Sequence, residues 1–422
     1  MIMKVKFSIL ILLLAGFNSQ SFAGYSTSSK PEIPSPPSKH NFNFKSLPVK
    51  WDEGLPLGNG MLGALIWQKD KSLRISMDRA DLWDTRTPKE FDRPEFKFSW
   101  VVDRVKKNEY EFVQKLFDEP YNREAYPTKL PAAAIEFDIP GIRDVKSVDL
   151  FLKEALCEIV WKSGIKFTSF VHATMPYGWF KLEGVSNKVI PRLSPPSYDS
   201  SLSGKGDSGS GPAGNELARL GYPAPQIQEG NNQINYHQIC ADGFSYDVRI
   251  SWTYSNKTLL GTWTVTTNKP YSLAIQTDGP PSKIIENEFK KDLKSHKDWW
   301  NKYWSKSSIQ IPDPILETQY YRELYKFGSA SRKGAPPISL QAIWTADNGK
   351  LPPWKGDFHN DLNTQMSYWP GYSSNHLEES SVFTDWLWNC KPEAEMFTKK
   401  YFETDGLNFP GVATLEGKPM GG

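Results

Sequence analysis

Between Leu340 and Pro370 the sequence reads LQAIWTADNGKLPPWKGDFHNDLNTQMSYWP. Trp344, Trp354, Asp357, His359, Asp361, Asn363, Gln365 and Trp369 fall within about one loop and the start of one helix. This mixture suits a sugar. Pyranose rings offer apolar C–H faces that need flat partners, and their hydroxyls need paired donors and acceptors. A neutral imidazole at His359 can donate to one hydroxyl and accept from another. The bland alternative for the same stretch is a polar helix cap with core tryptophans.

A second stretch, Trp51 to Trp67, reads WDEGLPLGNGMLGALIW. Its Gly58-Asn59-Gly60 centre demands a tight turn with left-handed backbone. Taken alone it is a hairpin. It is followed by Arg74 to Asp84, RISMDRADLWD. Asp78, Asp81 and Asp84 look like a metal site only at a glance; their strand-and-turn context argues for a structural role, and no metal site is assigned.

The elements around these stretches change character along the chain. From about 48 to 280 the pattern is β. Lys166 to His172, Phe244 to Tyr254 and Thr262 to Thr267 alternate with period two and are rich in aromatic and β-branched residues, as half-buried strands require. A large antiparallel sandwich is expected. The stretch from Ser194 to Gly214 is crowded with Ser, Gly and Pro and reads as a surface loop. After about residue 281 the period becomes helical. Ile285, Phe289, Leu293, Trp300 and Trp304 share one face of a linker helix over 281–312. A second helix starts at Asp313-Pro314, where a capping acid precedes proline at the first helical position. Its core face is Ile315, Tyr320, Leu324 and Phe327. A third runs near Leu377 to Leu387, with Val382, Phe383 and Trp386 turned inward.

Together the two stretches resemble glycoside hydrolase family 95, the inverting 1,2-α-L-fucosidases and some α-L-galactosidases. The first is similar to the family's W-x-x-x-LPLGNG-x-LG signature. The second is similar to LQ-x-IW…PPW…D-[YF]-H-x-N-x-N-x-QM-x-YWP. The resemblance covers roughly residues 48 to 380. It implies a multidomain β + α protein: an N-terminal β-sandwich (48–280), a helical linker (281–312) and the start of an (α/α)6 barrel (313–422). Six helical hairpins need about 300 residues or more, and only about 110 follow Pro312. The barrel is therefore expected to be incomplete in this sequence. An open half-barrel is expected to expose Ile315, Leu324, Phe383 and Trp386.

Inversion needs one group to protonate the leaving oxygen and another to deprotonate water. In the resembled family the acid is a Glu from a later barrel loop. On the other side an Asn of the N-x-N pair positions the water, and a later Asp activates that Asn. Alignment on His359 and Gln365 puts the second Asn at Asn363 and replaces the first with Asp361. Three readings follow. Asp361 acts as general base itself, with an ordinary pKa near about 4; it binds a different hydroxyl and changes specificity; or the protein is a poorly active homologue. Asp361 and Asn363 are the catalytic candidates. His359, Trp354, Asp357, Trp344, Gln365 and Trp369 are the substrate-binding ones. His359 either contacts sugar or orients Asp361. Asp361 to Asn363 should be loop-like, with both side chains in one concave pocket, because on a helix positions two apart diverge by about 200°. No cofactor is implied. The partner is a fucosylated or galactosylated glycan; the alternative is a non-catalytic carbohydrate-binding homologue. A phosphorylase would need a phosphate pocket, and nothing in the sequence shows one.

The remaining composition sets bounds. The 422 residues carry a formal charge of +2 spread evenly, with no electrostatic case for nucleic acid. Aromatics reach 14%, which fits either glycan contacts or large cores. Lys4 and Lys6, an apolar run from Ser8 to Phe17 and Ser21-Phe22-Ala23 form a secretory signal over 1–23. The mature chain is expected to be exported to the periplasm or beyond, without membrane insertion. A flexible leader over 24–47 should follow. Cys157, Cys240 and Cys390 show no metal spacing. They are three buried thiols, or one bridge between Cys157 and Cys240.

Overall fold

The computed structural model describes residues 35–198, 216–271 and 279–421. The expected signal, the first part of the leader and most of the Ser194–Gly214 loop lie outside them. Two antiparallel sheets dominate the first two thirds. The nine-stranded sheet runs β1 (Phe42–Phe44), β8 (Val145–Phe151), β9 (Leu156–Trp161), β10 (Lys166–Val171), β11 (Gly178–Glu183), β16 (Thr258–Thr267), β15 (Ser245–Ser255), β14 (Gln233–Ile239) and β13 (Gln226–Gly230). The five-stranded sheet runs β12 (Arg192–Ser194), β7 (Ala133–Asp138), β4 (Ser72–Arg79), β3 (Leu62–Lys69) and β2 (Leu55–Gly58). The sheets share one core. Phe137 of β7 meets Phe167 and Phe180 of the facing sheet at ring separations of 6.4 and 5.1 Å, a distance at which aromatic pairs attract beyond their buried area.

Burial follows the alternation expected of half-buried strands along β14 and β15. In β3 and β4 it does not: seven of eight residues are buried in β3 and all eight in β4. Their outer face is covered by the segment 339–350. Arg74 of β4 donates to Asp347 at 2.6 and 2.7 Å, and Ser76 at 2.5 Å. A Cβ on Gly63 would sit 1.9 Å from the Ile343 carbonyl oxygen, so only glycine lets the covering segment lie so close.

Four expectations are corrected. Sheet structure begins at β1, inside the stretch read as a flexible leader, and His40 beside it is fully buried between Thr318 and Glu317. Two helices, α1 (Phe98–Lys106) and α2 (Tyr110–Arg123), interrupt the β region. They escaped the pattern because α1 buries nothing completely and α2 only Leu116 and Pro120. The part after 281 is not wholly helical: β17 (Phe358–His359) pairs with β18 (Val412–Ala413). Leu324, Phe383 and Trp386 are buried; of the four residues expected to be exposed, only Ile315 is. Phe383 and Trp386 are covered within a second core that Phe358, Tyr368 and Val382 share.

The helices beyond the sheets are α3 (Glu286–Trp304), α4 (Pro314–Ala330), α5 (Asn363–Ser373), α6 (Leu377–Asn389) and α7 (Lys391–Phe397). Asp313 caps α4 through bonds from the Ile315 and Leu316 amides, with Pro314 first in the helix, where its missing N–H costs nothing. Phe289, Trp300 and Trp304 of α3 are buried as the periodicity predicts. Asp292 of α3 accepts from the Tyr177 hydroxyl and the Trp179 indole, each at 2.9 Å, and ties the helix to the nine-stranded sheet. All three cysteines are free and buried. Among the described residues no helix is long and apolar enough to cross a membrane.

Candidate functional site

The two sequence motifs are packed against each other. Asn59 holds the Gly58–Gly60 turn: its amide donates to the carbonyls of His172 and Met175, and its oxygen accepts from the Met61 and Leu62 amides. Gly60 has φ +84° and its amide donates to Ser329 O at 2.6 Å; a Cβ there would sit 2.5 Å from that of Arg332. Just before the turn, the Leu57 carbonyl accepts from the Trp344 indole at 3.0 Å. The first motif is a seat for the second.

Asp78, Asp81 and Asp84 each have their own partners. Asp78 accepts from buried Lys129 at 2.8 Å and from the Thr345 amide and hydroxyl at 2.7 and 2.6 Å. Asp81 takes Arg79 and Asp84 takes Arg86 and Tyr222. Buried carboxylates need such compensation, and here it comes from cations and donors of the fold.

From Pro353 the chain makes a turn in which Trp354 and Lys355 both take left-handed backbone, φ 48° and 57°. This throws Trp354 outward, 67% exposed, and Lys355 inward, where its ammonium donates to the carbonyls of Tyr121 and Tyr126. Burial pushes the Lys355 pKa down to about 8. Asp357 follows, wholly buried. Phe358 and His359 form β17, clamped by β18, and the Asn360 amide donates to Gly411 O at 2.6 Å. The Gln365 amide donates back to Asn360 O. The loop is thus fixed from both sides before α5 starts at Asn363.

His359 lies between two carboxyl groups. Its Nδ1 is 3.2 Å from Asp357 Oδ1 and its Nε2 is 3.4 Å from Asp361 Oδ1. Burial raises the Asp357 pKa to about 6, against the pull of His359 and with a further push from Asp361. Asp357 Oδ2 is buried with no partner. A Nδ1 that accepts from a protonated Asp357 leaves Nε2–H to donate to Asp361. Asp361 itself is in a turn with its side chain 65% exposed, accessible to water.

A groove of about 540 Å³ opens beside this loop. Trp344 and Asn363 line it, together with Trp51, Pro56, Ser339 and Gln341. The expectation of one pocket holding both Asp361 and Asn363 is corrected: Asn363 lines the groove and Asp361 does not. Asp361 lies in the turn that precedes α5, as the loop-like expectation had it, and Asn363 is the first residue of the helix. Asp357, His359, Gln365, Trp354 and Trp369 are likewise outside its lining. Trp369 is 57% exposed on α5. Trp51 and Gln341 were missed, although each stands in one of the two motifs.

Comparison with known proteins gives the same direction. Residues 288–415 match the glycosyl hydrolase family 95 catalytic domain. A segment of 66 residues is 41% identical to "Probable alpha-fucosidase A" of Aspergillus niger, covering 15% of this chain and 8% of that protein. Another of 76 residues is 34% identical to "Alpha-L-fucosidase 2" of Arabidopsis thaliana, covering 18% of this chain and 9% of that one. The similar segments thus span under a tenth of each relative's length. Both signatures stand in order, the second lies inside the matched segment and the two pack on one another; together with the matches this supports membership of glycoside hydrolase family 95.

Proposed function

We propose that the protein acts as a glycoside hydrolase of the α-L-fucosidase type, releasing terminal α-L-fucosyl or α-L-galactosyl residues with inversion when its catalytic domain is complete. The observation that carries this is the Asp357–His359–Asp361 chain. His359 is held by Asp357, its Nε2 stands 3.4 Å from one oxygen of Asp361, and the exposed Asp361 carboxylate can take a proton from water. Asn363, two residues on, orients the sugar or the water. The helices from α4 onward are proposed as the first of an (α/α)6 barrel, and the protein as an exported one, on its N-terminal sequence.

The test uses a protein carrying this chain with a complete catalytic domain, assayed on an α-L-fucoside and an α-L-galactoside. Proton NMR should show the β-sugar first, and Asp361→Asn should lower kcat by about 10²–10⁴-fold. Retention, or release from neither sugar, refutes the reading. A second reading, a non-catalytic carbohydrate-binding protein, is favoured by one observation: Asp361 stands outside the groove that Asn363 lines. Binding without release in the same assay selects it.

A further inference from the structure

The groove has a chemistry of its own. Its volume of about 540 Å³ lies within the roughly 300–1,000 Å³ of small-molecule sites. One side comes from the loop that opens the first motif: Trp51, Asp52 and Pro56. The other comes from the second motif: Gln341, Trp344 and Asn363. Trp51 begins a short 3-10 turn whose end, the Gly54 amide, bonds back to its carbonyl at 3.1 Å. Trp344 is anchored by its indole on Leu57 O. The Trp344 ring is held on the scaffold and the Trp51 backbone is fixed by its turn, so less entropy is lost when a sugar ring stacks on them.

The polar content points the same way. Ser339 and Gln341 line the groove, and Ser339 Oγ and Gln341 Oε1 are buried without a protein partner. Unpaired buried polar atoms are rare, and each asks for a bound water or ligand group. The groove's charged lining is one acid and one base, Asp52 and Lys326, with no cationic cluster to hold a uronate, a sulfate or a phosphate.

From this placement of two tryptophans lining one groove, hydrogen-bonding side chains and balanced charge, we propose that the groove is a subsite for a neutral glycan chain, bound on the non-reacting side of the substrate. Trp51 and Gln341 are its specificity-determining residues. Asn363, two residues from Asp361 in sequence, is part of its lining. The assignment of the occupant as substrate rests on the glycosidase reading; the binding itself does not.

The experiment is ligand-observed NMR on the full chain, with lactose as the neutral probe and trigalacturonate as the charged one. Lactose should receive saturation transfer and trigalacturonate little. Trp51→Ala and Gln341→Ala should each weaken lactose binding at least tenfold, with the unfolding midpoint of each variant recorded alongside. Trp51→Phe keeps a flat face and should recover most of the affinity, which separates stacking from loss of fold. Glu229→Gln, exposed on the edge strand β13 and outside the groove's lining, should bind as the parent does. Absence of transfer, equal binding by the Trp51→Ala and Gln341→Ala variants, or tighter binding of trigalacturonate overturns the proposal. The two readings fail separately. Lactose binding lost with Trp51, in a complete protein that releases no sugar, keeps the groove and removes the hydrolase. Sugar release with binding indifferent to Trp51 and Gln341 does the reverse.

Discussion

His359 Nδ1 stands 3.2 Å from an oxygen of Asp357, and that carboxyl is wholly shut off from solvent. With its pKa raised by burial to about 6, Asp357 stays protonated in the folded chain where the unfolded chain has already released its proton. Stability therefore falls as pH rises from about 4 to about 6 and is level beyond. The shift of about two units corresponds to on the order of 3 kcal/mol. Asp357→Asn removes the group that titrates. In urea unfolding from pH 4 to 7, the difference between parent and variant should change across that window and stay constant above it.

Asp347 has the opposite sign. Burial works against its charge, but Arg74 and Ser76 more than offset this and hold its pKa below the usual value of 3.8. Its contribution is fully present above that value and fades as pH falls through the folded pKa. The Asp347 side chain keeps 19% of its exposure and Arg74 retains Glu136, so the pair counts for less than a fully buried one. Asp347→Asn should cost about 1–2 kcal/mol at pH 7 and progressively less toward pH 2, read from the same unfolding curves.

Asp292 accepts from the Tyr177 hydroxyl and the Trp179 indole through one oxygen. Asp292→Ala removes the acceptor of both bonds and should cost about 2–4 kcal/mol. Asp292→Asn keeps an acceptor and should cost less. The difference between the two variants in chemical denaturation separates lost hydrogen bonding from lost charge.

Gly60→Ala tests the seat between the motifs. At φ +84° an L-residue is strained by roughly 1–2 kcal/mol, and the added Cβ would fall 2.5 Å from Arg332 Cβ and 2.9 Å from its backbone nitrogen. Backbone cannot yield as a side chain can. A loss of about 3 kcal/mol or more is expected, seen as a lower melting temperature. Gly230→Ala, with open space around its Cβ, serves as the control.

Legibility in the sequence tracked how local each cause was. The strands near Lys166, Ser245 and Thr262, the cap at Asp313 and the inward face of Val382, Phe383 and Trp386 follow from periodicity and capping within a few residues. The pairing of a LPLGNG turn with a D-F-H-x-D-x-N loop likewise pointed to the family that the matches support. Contacts between distant segments were not legible. Strands β3 and β4 look like one-sided strands that happen to be apolar until Ile343, Thr345 and Asp347 are seen covering them. Trp51 enters the groove only because β2 carries its loop beside Gln341. Phe358–His359 is held extended by Val412–Ala413, more than 50 residues away. Sequence by itself determined which side chains can handle a sugar, since residue type sets donors, acceptors and flat faces. Tertiary structure decided which of them meet: it buried Asp357 behind His359 and parted Asp361 from Asn363. Burial and direction are properties of the packed chain, and they set both the carboxyl's proton and the groove's lining.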